Sequence, residues 1–358
     1  MTEPLAPGSV IGILGGGQLG RMLAQAGARL GFDMHIFDPS ANGPAARVAA
    51  RSWAAPWDDD GAVQAFAAKC DVLTFEFENI PASTLAAAQS KTPIRPGRNS
   101  LELTQDRLIE KRFIRDAGCT TVDFVEVNSV TDLESAVAKL GRPSILKTRR
   151  FGYDGKGQVV IREETNLSEA WATISEQPAI LEAFANFNRE LSVVAVRGLS
   201  GELAVFPLAE NSHSDGILRT STAPAKIARD KEETAIAIAR ALGDGMGHVG
   251  VFAVELFEVD GEFVVNEIAP RVHNTGHWTM DACICDQFEQ HIRAVAGWPL
   301  GGTSPHSSCE MTNLIGNDMA PWQKLAGQAN SSLHLYGKRE ARAGRKMGHI
   351  NRLFPLSD

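Results

Sequence analysis

The sequence predicts an α/β unit followed by an α+β unit, an open parallel sheet that gives way to antiparallel hairpins. Three observations predict it. From Val10 to about Arg98, short apolar runs alternate with Ala-rich helical stretches in the order βαβα. Between Ile145 and Ile161, two strands flank a glycine-rich loop. From Glu190 to Ala269 the pattern turns strand-rich, with a single Ala-rich helix.

The first unit predicts strands at Val10–Leu14, Met34–Phe37, Asp71–Phe75 and Pro93–Arg95, with helices at Gln18–Leu30, Asp59–Lys69 and Ser83–Ala88. Asp106 caps a charged amphipathic helix that stops at Gly118. Thr131-Asp-Leu-Glu134 reads as a capping box for a helix ending at Gly141. Strands are expected at Ser144–Lys147 and Gln158–Ile161, and a helix at Lys231–Leu242. The part from about Thr303 reads as a short mixed tail.

Composition narrows the function classes. The chain has 358 residues, room for two or three domains with real cores. Its net charge of −8 argues against a nucleic-acid surface. The first ten residues lack the basic and apolar regions of a signal peptide, and no apolar run approaches the ~18 residues of a membrane span. A soluble, cytoplasmic protein is expected, with no nucleic-acid or membrane partner. Five cysteines without C-x-x-C spacing, among them Cys283 and Cys285, read as plain thiols.

Three motifs carry chemistry. In VIGILGGGQLGRMLAQAGARLGFDMHIFD, a strand, a G-x-G-x-x-G turn, a helix, a second strand and an acid form a dinucleotide fingerprint. In ILKTRRFGYDGKGQVVI, a strand ends on Lys147, and Gly152, Gly155 and Gly157 let backbone N–H groups approach phosphate oxygens. This is not a Walker loop, because G-x-x-x-x-G-K-[ST] is absent. In VELFEVDGEFVVNEIAPRVHNTGHW, Asp260-Gly261 marks a hairpin turn, and each strand carries an acid at a position that suits an apolar residue, Glu255 and Glu267. A two-residue loop pairs Glu255 with Asn266 and aims Glu267 at the other face. A loop of three or five residues pairs Glu255 with Glu267, and only that register makes a metal site. Arg271, His273, Asn274 and His277 crowd the loop that follows, which favours ligand binding.

Together GILGGGQLGRM, TFEFENI, KTRRFGYDGKGQ, ILEAF, NEIAPRVHNTGHWT and GRKMGHI resemble the ATP-grasp superfamily and, within it, the N5-carboxyaminoimidazole ribonucleotide synthetase family. They run from Gly12 to Ile350, nearly the whole chain. The resemblance implies an ATP-grasp fold: a Rossmann-like pre-ATP-grasp domain (1–119), a small lid domain (120–185), a metal-binding catalytic domain (186–302) and a C-terminal subdomain (303–358). It implies ATP between lid and hairpin. Arg107 and Lys147 would touch the phosphates, and Gly152, Tyr153, Asp154, Gly155, Lys156, Gly157 and Gln158 would form the flap over them. Glu182, Ala183, Phe184 and Ala185 would meet the adenine edge, chiefly through backbone groups. Glu190 would hold the ribose hydroxyls, with His213 lining the same pocket. Glu255 and Glu267 would carry Mg²⁺, or Mn²⁺ in its place. Many ATP-grasp enzymes have a metal-binding Asn two residues after the second Glu; here that position is Ala269, and Asn266 sits just before Glu267 instead.

The implied reaction phosphorylates bicarbonate to carboxyphosphate, which collapses to CO₂ and phosphate; the amine of 5-aminoimidazole ribonucleotide (AIR) captures the CO₂. Arg271 and Lys156 would shelter the anions, and Asp154 would be the base, with His273 and His277 as alternatives. The Gly17-Gln18-Leu19 turn would hold AIR rather than NAD, with Glu76 and Glu78 toward its ribose and Asn274 beside it. Lys338, Arg345 and Lys346 would hold its phosphate. A homodimer is implied. Rival readings are an NAD-dependent dehydrogenase, a non-catalytic nucleotide-binding module, and another ATP-grasp ligase such as the formate-using glycinamide ribonucleotide transformylase.

Overall fold

The computed structural model describes residues 3–152, 156–214 and 216–356. Its N-terminal sheet is parallel throughout. The strands β1 (Val10–Leu14), β2 (Asp33–Phe37), β3 (Arg51–Trp53) and β4 (Val72–Phe75) lie in the order β3-β2-β1-β4. Between them run α1 (Gln18–Arg29) and α2 (Asp60–Ala67), followed by α3 (Ala82–Gln89) and α4 (Arg98–Thr104). Alternation along the strands sends Ile11, Ile13, Met34 and Ile36 to one face with α1, and Leu14, Phe37, Leu73 and Phe75 to the other with Val63, Phe66 and Leu85. Pro93–Arg95 forms no full strand. It contributes one parallel bridge, Leu73 to Ile94, because prolines at 93 and 96 remove ladder donors on both sides.

The helix α5 (Arg107–Asp116) starts where Asp106 accepts from the amides of Leu108 and Ile109. It leads to a small antiparallel sheet of β5 (Phe124–Val127), β6 (Ser144–Thr148), β7 (Gln158–Ile161) and β8 (Ala179–Ala183), in the order β5-β8-β6-β7, with α6 (Val130–Leu140) and α7 (Leu167–Thr173). The expected capping box at Thr131 is corrected. Ser129 is the cap and accepts from the Asp132 amide, which starts the helix at Val130, before the predicted box. One sheet face buries Leu146, Ile161 and Leu181 against the helices; Ile145 and Lys147, one residue out of phase, face the cleft.

The third sheet is antiparallel. It holds β9 (Arg189–Arg197), β10 (Leu203–Val205), β11 (Ala209–Ser214), β12 (Ile217–Ala223), β13 (Gly250–Val259) and β14 (Glu262–Ala269). The C-terminal strands β15 (Ser308–Ile315), β16 (Ser331–Leu335) and β17 (Lys346–Phe354) continue it through β12, in the order β14-β13-β9-β11-β12-β15-β17-β16. The predicted tail is thus an extension of the main sheet. One face packs on the 18-residue α8 (Arg229–Met246) through Leu191, Val254 and Leu256. The other packs through Val194, Val251 and Ala253 on the short α9 (Thr279–Ala282) and on α10 (Gln287–Ala296), which also touches α1. α11 (Trp322–Ala326) precedes β16. All five cysteines are free thiols. No helix of the described residues is long and apolar enough to cross a membrane.

Candidate active site

The three sheets meet at a cleft of about 610 Å³. Its floor is the β13–β14 hairpin. Asp260 and Gly261 both have positive φ (50° and 80°), the geometry of a two-residue type I′ turn. Val259 faces Glu262, and pairing continues regularly to Leu256 and Val265. The register then shifts by one, and Glu255 faces Glu267. Both expected registers are therefore corrected: the loop has two residues, yet the acids pair. A β-bulge reconciles them, because Asn266 is the extra residue. The sequence signal was the broken alternation of Val265 and Ile268, three apart on one buried face.

The paired carboxylates differ sharply. Burial first, then the charges of Glu267 and Glu190, push Glu255 well above the usual carboxylate range. Burial also opposes the charge of Glu267, but Arg107, bonded to it at 3.0 Å, brings it down to about 2. The Glu255 carboxylate meets Asn266 Nδ2 at 3.4 Å and His273 Nε2 at 3.6 Å, both long contacts. Oxygen donors under mutual repulsion suit a hard divalent cation.

Cations, Arg107 and Lys147 among them, also line the cleft. Lys147 donates to Glu182 Oε2 at 2.6 Å, and Lys111 lies 3.6 Å from Glu182 Oε1. Burial disfavours the Glu182 charge, yet Lys147 and Lys111 hold its pKa at about 2. The glycine-rich segment begins within reach, since Arg107 Nη2 lies 3.4 Å from the Gly152 carbonyl. Lys156 and Gln158 line the cleft; Tyr153, Asp154 and Gly155 lie outside the described residues. Gly157, Glu182, Ala183, Phe184 and Ala185 do not line it. The Glu182 side chain turns to the lysines, and the Ala183 amide is taken by the Asp123 carbonyl. Glu190 does line the cleft, 3.1 Å from His213 Nδ1. Beside them Phe187 stacks on Phe257 at 4.4 Å, an aromatic wall that sequence reasoning missed; Phe187, 43% exposed, was its signal only in three dimensions.

At the N-terminal turn the Gly17, Gln18 and Leu19 segment borders the cleft. Its anion is internal. Glu76 accepts from the Gly17 amide at 2.5 Å and the Gly20 amide at 2.7 Å, and Asp38 accepts from Gly16 at 2.8 Å. A Cβ on Gly17 would fall 2.3 Å from Glu76 Oε1, so the acid and the glycine require each other. These are the amides a pyrophosphate would use in a dinucleotide site. Both Glu76 oxygens are engaged by the turn, and the residue also lines the cleft. Arg271, expected to meet anions, is gripped by Glu78 through two bonds of 2.5 and 3.1 Å.

The neighbouring loop is similarly fixed. Asn274 and Asn313 exchange amide bonds at 3.0 and 2.8 Å. Gln287 accepts from the His273 amide and donates to its carbonyl. Burial, then Arg271 and Lys346, lower the His273 pKa to about 3, which leaves a neutral imidazole and a poor base. His277 is buried and likewise held neutral. Of the three predicted phosphate cations only Lys346 lines the cleft. Lys338 donates to the Lys346 carbonyl at 2.7 Å, and Arg345 to the Glu340 carbonyl at 3.0 Å, so the loop 337–345 uses these two to close on itself.

Comparison with known proteins agrees with this geometry. Residues 9–105 match the ribonucleotide synthetase preATP-grasp domain, residues 112–288 the ATP-grasp domain, and residues 309–355 the phosphoribosylaminoimidazole carboxylase C-terminal domain. The N5-carboxyaminoimidazole ribonucleotide synthase of Brucella melitensis is 50% identical over 354 residues, 98% of each chain. A solved N5-carboxyaminoimidazole ribonucleotide synthetase in complex with ADP superimposes with a TM-score of 0.95 at 44% identity, covering 99% of this chain and 94% of that one. The Aspergillus clavatus enzyme in complex with ADP and 5-aminoimidazole ribonucleotide gives 0.91 at 29% identity, over 98% and 94%. The parallel sheet, the lid, the acidic hairpin and these matches across the whole chain agree, and the chain belongs to the N5-carboxyaminoimidazole ribonucleotide synthase family of ATP-grasp enzymes.

Proposed function

We infer that this chain is an ATP-dependent carbon–nitrogen ligase that carboxylates AIR with bicarbonate, giving N5-carboxyaminoimidazole ribonucleotide, ADP and phosphate in de novo purine biosynthesis. The facing of Glu255 and Glu267 in a cleft also lined by Lys147 and Arg107 carries this conclusion, because phosphoryl transfer needs a bound divalent cation together with cationic side chains around the phosphates. Bicarbonate oxygen attacks the γ-phosphorus and ADP leaves. The resulting carboxyphosphate breaks its C–O bond to release CO₂ and phosphate. The AIR amine then adds to CO₂ and gives up a proton.

Lys147 and Arg107 neutralise the phosphates, and Glu190 with His213 borders the nucleoside end. Glu255 and Glu267, with Asn266 alongside, would hold Mg²⁺ or Mn²⁺, which supplies charge neutralisation to the transfer when bound. Gly152, Lys156 and Gln158, which line the cleft, would lie over the phosphates and help keep water from carboxyphosphate. Asp154 is the base assigned to the amine proton, with His273, His277 and the released phosphate as the alternatives. AIR lies toward Gly17–Leu19, with its phosphate near Lys346. The same assignment divides the chain near residues 119, 185 and 302, and makes the enzyme a cytoplasmic homodimer, which its mass in solution tests. The deciding experiment compares ADP release with AIR and with glycinamide ribonucleotide, bicarbonate present. Release only with AIR is expected; release with glycinamide ribonucleotide and formate would reassign the enzyme.

A further inference from the structure

The bulge that faces Glu267 toward Glu255 is held from outside the hairpin. The helix α5 lays Arg107, Glu110, Lys111 and Ile114 along one side, the i, i+3, i+4, i+7 spacing. Ile114 is buried in the core under the large sheet. The other three reach β14 at consecutive points. Lys111 Nζ donates to the Asn266 carbonyl at 2.7 Å. The Ile268 amide donates to Glu110 Oε1 at 2.6 Å. Arg107 bonds the Glu267 carboxylate itself at 3.0 Å. One backbone group on each side of Glu267 is therefore taken by a side chain of the same helix turn. Both are out of water: Glu110 is 2% exposed and Lys111 0%.

We propose that Glu110 and Lys111 are positioning residues for the metal pair, which clamp the peptide groups flanking Glu267 and so fix where its carboxylate points. A bulge bends its strand and loosens the ladder, so without outside support the Glu267 backbone has more than one accessible orientation. Binding a peptide group on each side removes that freedom before any cation arrives. Lys111 also approaches Glu182 on β8, which in turn holds Lys147 of β6, so the clamp links the hairpin to the small sheet through that acid. The inference rests on the metal assignment made above for Glu255 and Glu267.

The test is Mn²⁺ binding in the presence of ADP, followed by electron paramagnetic resonance, with thermal melting alongside. Glu110→Gln keeps the reach and the acceptor oxygen but cannot ionise. Glu110→Asp keeps an ionisable carboxyl but withdraws the acceptor from Ile268. Supporting groups of this kind typically cost 10–100-fold in metal affinity when removed. The expected result is affinity close to wild type for Glu110→Gln, and a loss of roughly that size for Glu110→Asp and Lys111→Met. A purely electrostatic role predicts the reverse order, with Glu110→Asp the milder change, and that order would overturn the proposal. Wild-type Mn²⁺ affinity in Glu110→Asp would also overturn it, and so would wild-type affinity in folded Lys111→Met. If Lys111→Met does not fold, the two Glu110 variants decide the matter between them. Glu267→Gln is the control: unchanged Mn²⁺ binding there overturns the metal assignment and the clamp together, whereas weakened binding there with an intact Glu110→Asp defeats the clamp alone.

Discussion

Glu267 and Glu182 are both acids held near a pKa of 2, and they predict different failures. Glu267 points into the cleft, so Glu267→Gln should leave the fold intact and lower AIR-dependent ADP formation roughly a hundredfold or more. Near-wild-type turnover in the folded variant would remove it from the site. Glu182 is 3% exposed and sits between two ammonium groups, so its loss is structural. Glu182→Gln leaves Lys111 and Lys147 buried without their counter-charge, a change that typically costs about 3–5 kcal/mol. Its pH dependence has a definite sign. The folded pKa is depressed below the ordinary 4.5, so the wild-type contribution is present above about 4.5 and fades as the pH falls toward 2. Acid titration of stability should therefore show a shallower slope in that window for Glu182→Gln. An unchanged slope would mean that the acid is not paired in solution. Residues such as Lys147 and the two hairpin acids were legible because a charge interrupts an apolar run. Lys111 was not, because a lysine on a charged amphipathic helix looks solvated until the helix is docked.

At the scale of elements, helices and strands followed from periodicity, and errors fell where one residue decides. Ser129 displaced the expected box because its hydroxyl reaches the third amide first. The hairpin register could not be read from turn length alone, since Asn266 shifts the pairing beyond the turn. Arg345 and Lys338 were chosen for charge, but a loop rich in backbone carbonyls without ladder partners draws such side chains inward. The start of α5 carries a prediction. Asp106 caps the helix and also pairs with Arg149 at 2.9 Å, joining it to the segment that leaves β6. Asp106→Ala should cost ~1–2 kcal/mol from the cap alone, and more from the orphaned guanidinium. Chemical denaturation measures this. A loss confined to a few tenths would show that the cap is dispensable.

For the molecule as a whole, the cleft collects residues from three sheets, so a ligand there bridges parts of the chain far apart in sequence. Binding to the folded form alone adds RT ln(1 + [L]/Kd) to stability. ADP with Mg²⁺ at 100 times its Kd should contribute ~2.7 kcal/mol, and raise the melting temperature of the entire chain in one transition. Two transitions, only one of which moves, would show that the lid unfolds independently of the large sheet. The order of the three sheets was legible from the change in strand pattern. The continuation of the main sheet by the C-terminal strands was not, because a partner more than 90 residues away leaves no local trace: Thr220 pairs with Thr312.

The carboxylate lodged in the glycine turn bears on how the first sheet assembles. Glu76 lies 59 residues beyond Gly17 and 56 beyond Gly20, at the end of the strand that must align with β1. Closing a loop of that length costs entropy before any contact repays it. Two amides of a nascent helix, waiting for an anion, give the returning strand a target that only the correct parallel alignment reaches. The chain thus brings its own nucleating anion to the turn. The turn is thereby closed by the chain's own carboxylate, with no nucleotide required to pair those two amides.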